Sequence, residues 1–289
     1  MSRFAHFVAI DWSGARGSRH RGIALAWCGA GRAAPRLVTP PHGLWSRTAV
    51  LDWLLCAAPP DALIGFDLGP SLPFADRGAF FPGWDASPGD ARGLWSLVET
   101  LCGGEPDLGA AGFADHPGAA PHFRRHGGRT GEAFGGGRGR FRVTEYAQAA
   151  QGLKPYSNLN LVGAAQVGKA SLAGMRLFHA LGGRLPLWPF DPLPERGSAM
   201  VEIYTAIAAR DAGRPPHRAK MRSLAELNAG LAMLGSAPVP GDGPIDDHRS
   251  DALLSAAWLR AVASREALWH PAGLNPAIAA TEGWTFGVV

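Results

Sequence analysis

Acidic residues able to do chemistry stand at four places in the chain. Asp11 closes the apolar run of "FVAIDWSGA", Asp67 closes that of "LIGFDLGPSLP", Glu202 lies in "VEIYTA", and Asp247, His248 and Asp251 open "DDHRSDALLSAAWL". Carboxylates gathered on one edge repel one another unless a cation sits among them. Oxygen-only sites suit Mg²⁺ or Mn²⁺. Two such ions about 4 Å apart activate a water and stabilise the leaving oxygen of an in-line phosphodiester displacement. On this reading Asp11, Asp67 and Asp251 hold the metal with Asp247, Glu202 joins the catalytic set, and His248 is secondary. The Ser13-Gly14 turn would let a phosphate backbone come close to Asp11.

Each acid has an ordinary alternative. Asp11 and Asp67 both precede glycine turns and suit Asx-turns. Asp246 or Asp247 suits a helix N-cap. Glu202 equally suits a salt bridge to one of the arginines. For Asp251, inside the last long helix, capping is the weaker explanation.

Two further stretches bear on phosphate. In "HFRRHGGRTGEAFGGGRGRFR", residues 122–142, six arginines face a single acid, Glu132. Arg124, Arg125, Arg138 and Arg140 are therefore candidate contacts to a nucleic-acid strand, against the alternative of a solvated flexible loop. "GAAQVGKAS" spaces Gly163, Gly168 and Lys169 as a phosphate-binding P-loop would, but Ala170 holds the hydroxyl position and Ser171 comes one residue late. Lys169 at a helix start remains a candidate phosphate contact.

The elements that must position these residues alternate. Residues 4–11, 21–28 and 36–38 read as strands, and connections this short favour an antiparallel meander. Trp45 to Ala57 reads as a helix and Ala62 to Asp67 as a buried strand. Prolines and glycines then crowd the chain to Pro155, where only Arg92 to Leu101 and Thr144 to Gln151 have helical spacing. A helix from about Ala164 to Leu181, a strand from Ala199 to Tyr204, and helices from about Met221 to Leu234 and Asp247 to Ala263 follow. The expected fold is α/β, a mixed five-stranded sheet flanked by helices. Residues 1–70 and 156–289 form the core, and 71–155 an inserted loop-rich subdomain.

At 289 residues and 46% hydrophobic content the chain has ample material for a core. A net charge of +4 is too mild to establish a polyanionic partner. Cys28, Cys56 and Cys102 lack CxxC or Cys/His spacing, so neither a disulfide framework nor a zinc site is expected. No apolar window is long enough to span a membrane, and the opening residues lack a signal-peptide pattern. The expected location is cytoplasmic, without membrane contact; the oligomeric state stays open.

The set "FVAIDWSGA", "LIGFDLGPSLP", "GKASLAGMRLFHAL", "VEIYTA" and "DDHRSDALLSAAWL" resembles the domain-of-unknown-function family 429, a group predicted to be nucleases of ribonuclease H fold. The resemblance runs from residue 7 to about 262 and is weak between 75 and 155. It implies a ribonuclease H-like core, a metal-dependent nuclease and a nucleic-acid partner, DNA or RNA. Asp11 then matches the first-strand aspartate, Asp67 the fourth-strand acid, and Asp251 the last-helix aspartate of Holliday-junction resolvases. Glu202 resembles the glutamate of a Glu-Val-Tyr-Pro motif, with Thr205 where proline is usual. Leu68-Gly69 stands where a Pro-Phe pair is common. Two other classes fit parts of the pattern: an actin-like or sugar-kinase-type ATP-binding phosphotransferase, which needs a second glycine-rich phosphate turn, and a non-catalytic relative acting as a binding module.

Overall fold

The computed structural model of the chain describes residues 3–163, 166–215 and 220–289. The first strand, β1 (His6–Asp11), is apolar on both faces because both are covered. Val8 and Ile10 enter one apolar cluster, while Phe7 and Ala9 enter another on the opposite side. β2 (Ala24–Gly29) and β3 (Arg36–Leu37) fold back antiparallel, as the short connections require. The helix α1 (Arg47–Cys56), capped by the Ser46 hydroxyl, leads to β4 (Ala62–Asp67), which pairs parallel with β1 on its other edge.

The sheet has six strands, in the order β3-β2-β1-β4-β6-β5, rather than five. The added member is β5 (Leu187–Trp188), a two-residue strand at the edge beside β6 (Ala199–Glu202). Prolines flanking β5 at Pro186 and Pro189 hid it from any periodicity. The strand expected to run to Tyr204 stops at Glu202, and α5 (Thr205–Asp211) starts immediately.

Helices cover both faces of this mixed sheet. The α1 helix, α2 (Ala91–Cys102) and α4 (Val167–Leu181) bury leucines, Trp95 and Phe178 against one face. On the other lie α5, α6 (Leu224–Met233), α7 (Asp247–Val262) and α8 (Pro276–Thr281). The expected start of α4 at Ala164 lies outside the described residues. Segment 71–155 carries α2 and α3 (Val143–Ala150) with three short 3-10 turns, and its Phe80, Phe81, Phe113 and Phe123 belong to the same apolar cluster as Ile10 and Phe66. Among the described residues no helix is long and apolar enough to cross a membrane.

One aromatic chain fixes the edge that matters below. Trp12 meets Phe66 edge-on with ring centroids 6.0 Å apart, and Phe66 meets Phe178 of α4 at 5.5 Å. Each contact adds about 0.5–1.5 kcal/mol beyond burial. Trp12 follows Asp11 and Phe66 precedes Asp67, so the pairs lock both acidic strand ends to one helix.

Candidate active site

Asp11 and Asp67 stand directly opposite each other in the register of β1 and β4. The chain leaves β1 towards β2 on one side and returns as β4 on the other, so their carboxyl ends form the point where strand order reverses. Crevices at such points are where open α/β sheets bind ligands. Neither aspartate makes an Asx-turn. Asp11 is buried, and its Oδ2 accepts from His248 Nδ1 at 2.6 Å. When Asp11 is ionised its carboxylate can only accept, and Nδ1 then carries the proton. Asp67 accepts from the backbone N–H of Thr205 at 3.4 Å and from its hydroxyl at 3.3 Å. Thr205, in the place where proline is usual in the motif, thus ties Asp67 to the start of α5.

On α7, Asp246 is the N-cap, its Oδ1 accepting from the Arg249 N–H at 2.9 Å. Asp251, one turn in, accepts from Lys220 Nζ at 3.0 Å, and the same ammonium lies 3.7 Å from Asp247. The four-carboxylate metal set is therefore not assembled as expected. Among the described residues no group of three His, Cys, Asp or Glu side chains is placed to hold a metal ion. What converges is the pair Asp11 and Asp67, with Asp251 close enough for its charge to act on both.

The electrostatics record that crowding. Burial, and then the charges of Asp11 and Asp251, push Asp67 up to about 8. Burial and the charge of Asp11 raise Asp251 to about 6 against the pull of Lys220. Asp11 is raised by burial, with His248 opposing, and the same hydrogen bond raises His248. Hard oxygen donors short of positive charge suit Mg²⁺ or Mn²⁺, and Mg²⁺ commonly takes one or two protein carboxylates and keeps water for the rest. Asp11 and Asp67 fit that mode.

A cleft of about 370 Å³ opens over this edge, with Asp67, Lys169, Tyr156, Tyr204 and His248 among its walls. Its near wall is the turn after Asp11. A Cβ on Gly14 would lie 2.1 Å from the Lys169 carbonyl carbon, and Trp12 Nε1 donates to the Ala170 carbonyl at 3.1 Å. The room expected there for a phosphate backbone is taken by the first turn of α4. Gly14→Ala should therefore force helix and turn apart. The expected cost is about 1–3 kcal/mol, read as a lowered melting temperature; an unchanged one would mean the two backbones are not in contact. Ser13 supports this turn by accepting from the Ala15 N–H, and Arg47 donates to the Ser13 carbonyl at 2.9 Å. The P-loop reading fails at its hydroxyl, which comes one residue late and is occupied, because Ser171 donates to the Val167 carbonyl inside α4. Lys169 does face the cleft, where it contacts Gln166 and His126.

The arginine segment divides. Arg140 is buried, forks the Asp76 carboxylate at 2.7 and 2.8 Å, and donates to the carbonyls of Pro73, Ala79 and Phe80, so it is a structural strut and not a phosphate contact. Arg125 pairs with Asp115 at 3.0 Å. Arg124 is exposed, its backbone bridging to Asn160 and Thr130. Arg138 is exposed at the cleft rim, next to Tyr156.

Glu202 resolves to the salt-bridge alternative. Its two oxygens accept from Arg142 at 2.6 and 2.8 Å, and Oε1 also accepts from the Thr285 hydroxyl at 2.7 Å. Arg142, which the sequence reading left among the loop arginines, is wholly buried and also binds Glu145 at 2.9 Å. The Glu282 carboxylate nearby accepts backbone N–H groups from Phe74, Ala75 and Val143. Burial raises Glu145 to about 7 even with Arg142 beside it. This nest floors the cleft; it is not free to ligate a metal.

No protein-family model, curated protein or solved structure matches the chain. The class of the protein is argued from its own fold and site.

Proposed function

We propose that this chain is a metal-dependent nuclease with a ribonuclease H-like core, hydrolysing phosphodiester bonds in nucleic acid. The observation that carries the reading is the register pair Asp11 and Asp67 at the reversal point of the sheet, with Asp251 approaching from α7. A meander of three strands followed by parallel strands added to the far edge of β1 is the arrangement that a ribonuclease H-like core requires. It supports the class without naming the substrate.

Mg²⁺ or Mn²⁺, when bound, would polarise the phosphate and supply a water of lowered pKa. Asp11 and Asp67 would hold it. Lys169 and the N-terminal turn of the fifteen-residue α4 draw the phosphate anion into the cleft. His248 Nδ1 lies 2.6 Å from Asp11 Oδ2, so the half-exposed imidazole orients that carboxylate.

The test is cleavage of labelled single- and double-stranded DNA, RNA, hybrid and branched junction with Mn²⁺, comparing wild type with Asp11→Asn and Asp251→Asn. Metal-dependent cutting should be lost in both variants, and cutting that survives Asp11→Asn would remove the reading. Metal binding should also depend on pH in one direction. Asp67 near 8 and Asp251 near 6 each hold a proton that the ion must displace, so affinity rises with pH through that window. Stabilisation by Mn²⁺ in thermal unfolding should be absent near pH 5 and reach its full size at about pH 8 and above. An effect equal at both would point to a site elsewhere.

A further inference from the structure

The chain has three tyrosines, two of them in the wall of the cleft and the third linked to that wall through Phe141 and Arg138. Tyr204 and Tyr156 line it, the Tyr204 hydroxyl donating to the Lys154 carbonyl at 3.3 Å. Tyr146 lies further out, its ring edge-on to Phe141 with centroids 5.6 Å apart. Among the described residues Tyr146 and Tyr156 are the large aromatic side chains left exposed, at 57% and 45%. The other big rings of the molecule are buried or half-buried, so packing does not explain these two.

Arg138 joins the rings into one row. Its guanidinium carbon lies 5.5 Å from the Phe141 centroid and 5.6 Å from that of Tyr156, while the group donates to the Pro155 carbonyl. A guanidinium within 6 Å of two ring centroids and anchored to a carbonyl keeps its charge and loses little freedom on binding. The order Tyr146, Phe141, Arg138, Tyr156 runs from open surface to the wall of the cleft that Asp67 also lines. Exposed rings interleaved with a pinned cation are what unpaired bases and their phosphates require, because stacking needs a free base face. Paired bases hide those faces within the duplex.

We infer that this row is the entry path of a single strand, and that the substrate is single-stranded nucleic acid whose bases stack on Tyr156 and Tyr146 as its backbone passes Arg138 into the cleft. The inference rests on the nuclease reading for what happens at the end of the path, but not for binding along it.

The test is fluorescence anisotropy of a short labelled oligothymidine, and of a duplex of equal length, with wild type in EDTA. The single strand should bind tighter than the duplex. Tyr156→Ala and Tyr146→Ala should each weaken it about 5- to 100-fold, and Tyr156→Phe, which keeps the ring, should bind as wild type does. Arg138→Gln should lower the salt dependence of binding by about one phosphate contact. Equal affinity for duplex, or equal binding by Tyr156→Ala and wild type, would overturn the path. Mn²⁺-dependent hydrolysis of bis(4-nitrophenyl) phosphate by wild type separates the two claims. Hydrolysis without single-strand preference leaves the catalytic reading and removes the path. Ring-dependent strand binding, with neither the small diester nor any oligonucleotide cut, keeps the path and removes the nuclease.

Discussion

Asp67→Asn is expected to raise the melting temperature of the metal-free protein at pH 8, by about 2–4 °C for each kcal/mol gained, while abolishing stabilisation by Mn²⁺ and metal-dependent cleavage together. The sign follows from linkage. The folded protein holds Asp67 at about 8 and the unfolded chain near 3.8, so the carboxyl's contribution to stability is complete below about pH 4 and lost as pH rises towards 8. From about pH 8 upward wild type therefore carries a half-buried charge facing Asp11 and Asp251, and asparagine removes it. The amide can keep both contacts, its oxygen accepting the Thr205 N–H and its nitrogen donating to the hydroxyl, which can also accept. The gain should shrink as pH falls and vanish near pH 4. Thermal scans of both proteins across pH, with and without Mn²⁺, check it. A variant less stable than wild type at pH 8 would mean that Asp67 is not strained by its neighbours.

Arg142→Met should have the opposite effect and a larger one, a loss of about 3–5 kcal/mol at neutral pH. Among the described residues Arg142 is the cation paired with Glu145 and Glu202, and it also donates to the Glu282 carbonyl, joining α3 to β6 and to the segment after α8. Removing it strands buried carboxylates whose only escape is protonation. Burial already holds Glu145 near 7. Without Arg142 that carboxyl is held higher still, so the variant's deficit against wild type should widen as pH rises above about 7. Adding Glu202→Gln should return part of the loss, a coupling that a double-mutant cycle in urea would measure. Additive losses would show that Arg142 acts by packing alone.

These two residues mark the limits of what could be read from the chain. The ends of β1 and β4 were legible because a fully buried strand is a continuous apolar run, and a carboxylate closing such a run has few structural reasons to be there. The acidic first turn of α7 was legible through helical spacing, including the N-cap at Asp246. Arg142 was not. Between Gly139 and Thr144 its composition is that of a solvated loop, and its partner Glu202 is sixty residues away. The local clue was Glu145 three residues on, whose carboxylate accepts the Arg142 N–H at 2.6 Å and starts α3. Arg140 misled for the same reason, because residues 140 and 142 point inwards on either side of Phe141. The α5 helix escaped because the apolar Ile203-Tyr204 extends the strand pattern up to its first residue. Asp247 followed its spacing onto the right helix but faces Lys220 rather than the carboxylate pair.

Lys220 gives the site one further property. Its ammonium is a counterion fixed to the chain, 3.0 Å from Asp251, and a tethered partner competes at a high local concentration whatever the bulk solution contains. A divalent ion can settle on Asp11 and Asp67 without displacing it, although its charge reaches Asp11, whereas recruiting Asp251 as a third donor means evicting a resident that never diffuses away. Occupancy of the edge is then graded: a first grip set by the strand pair, and a tighter one open only to a ligand that brings enough negative charge of its own to carry Lys220 elsewhere.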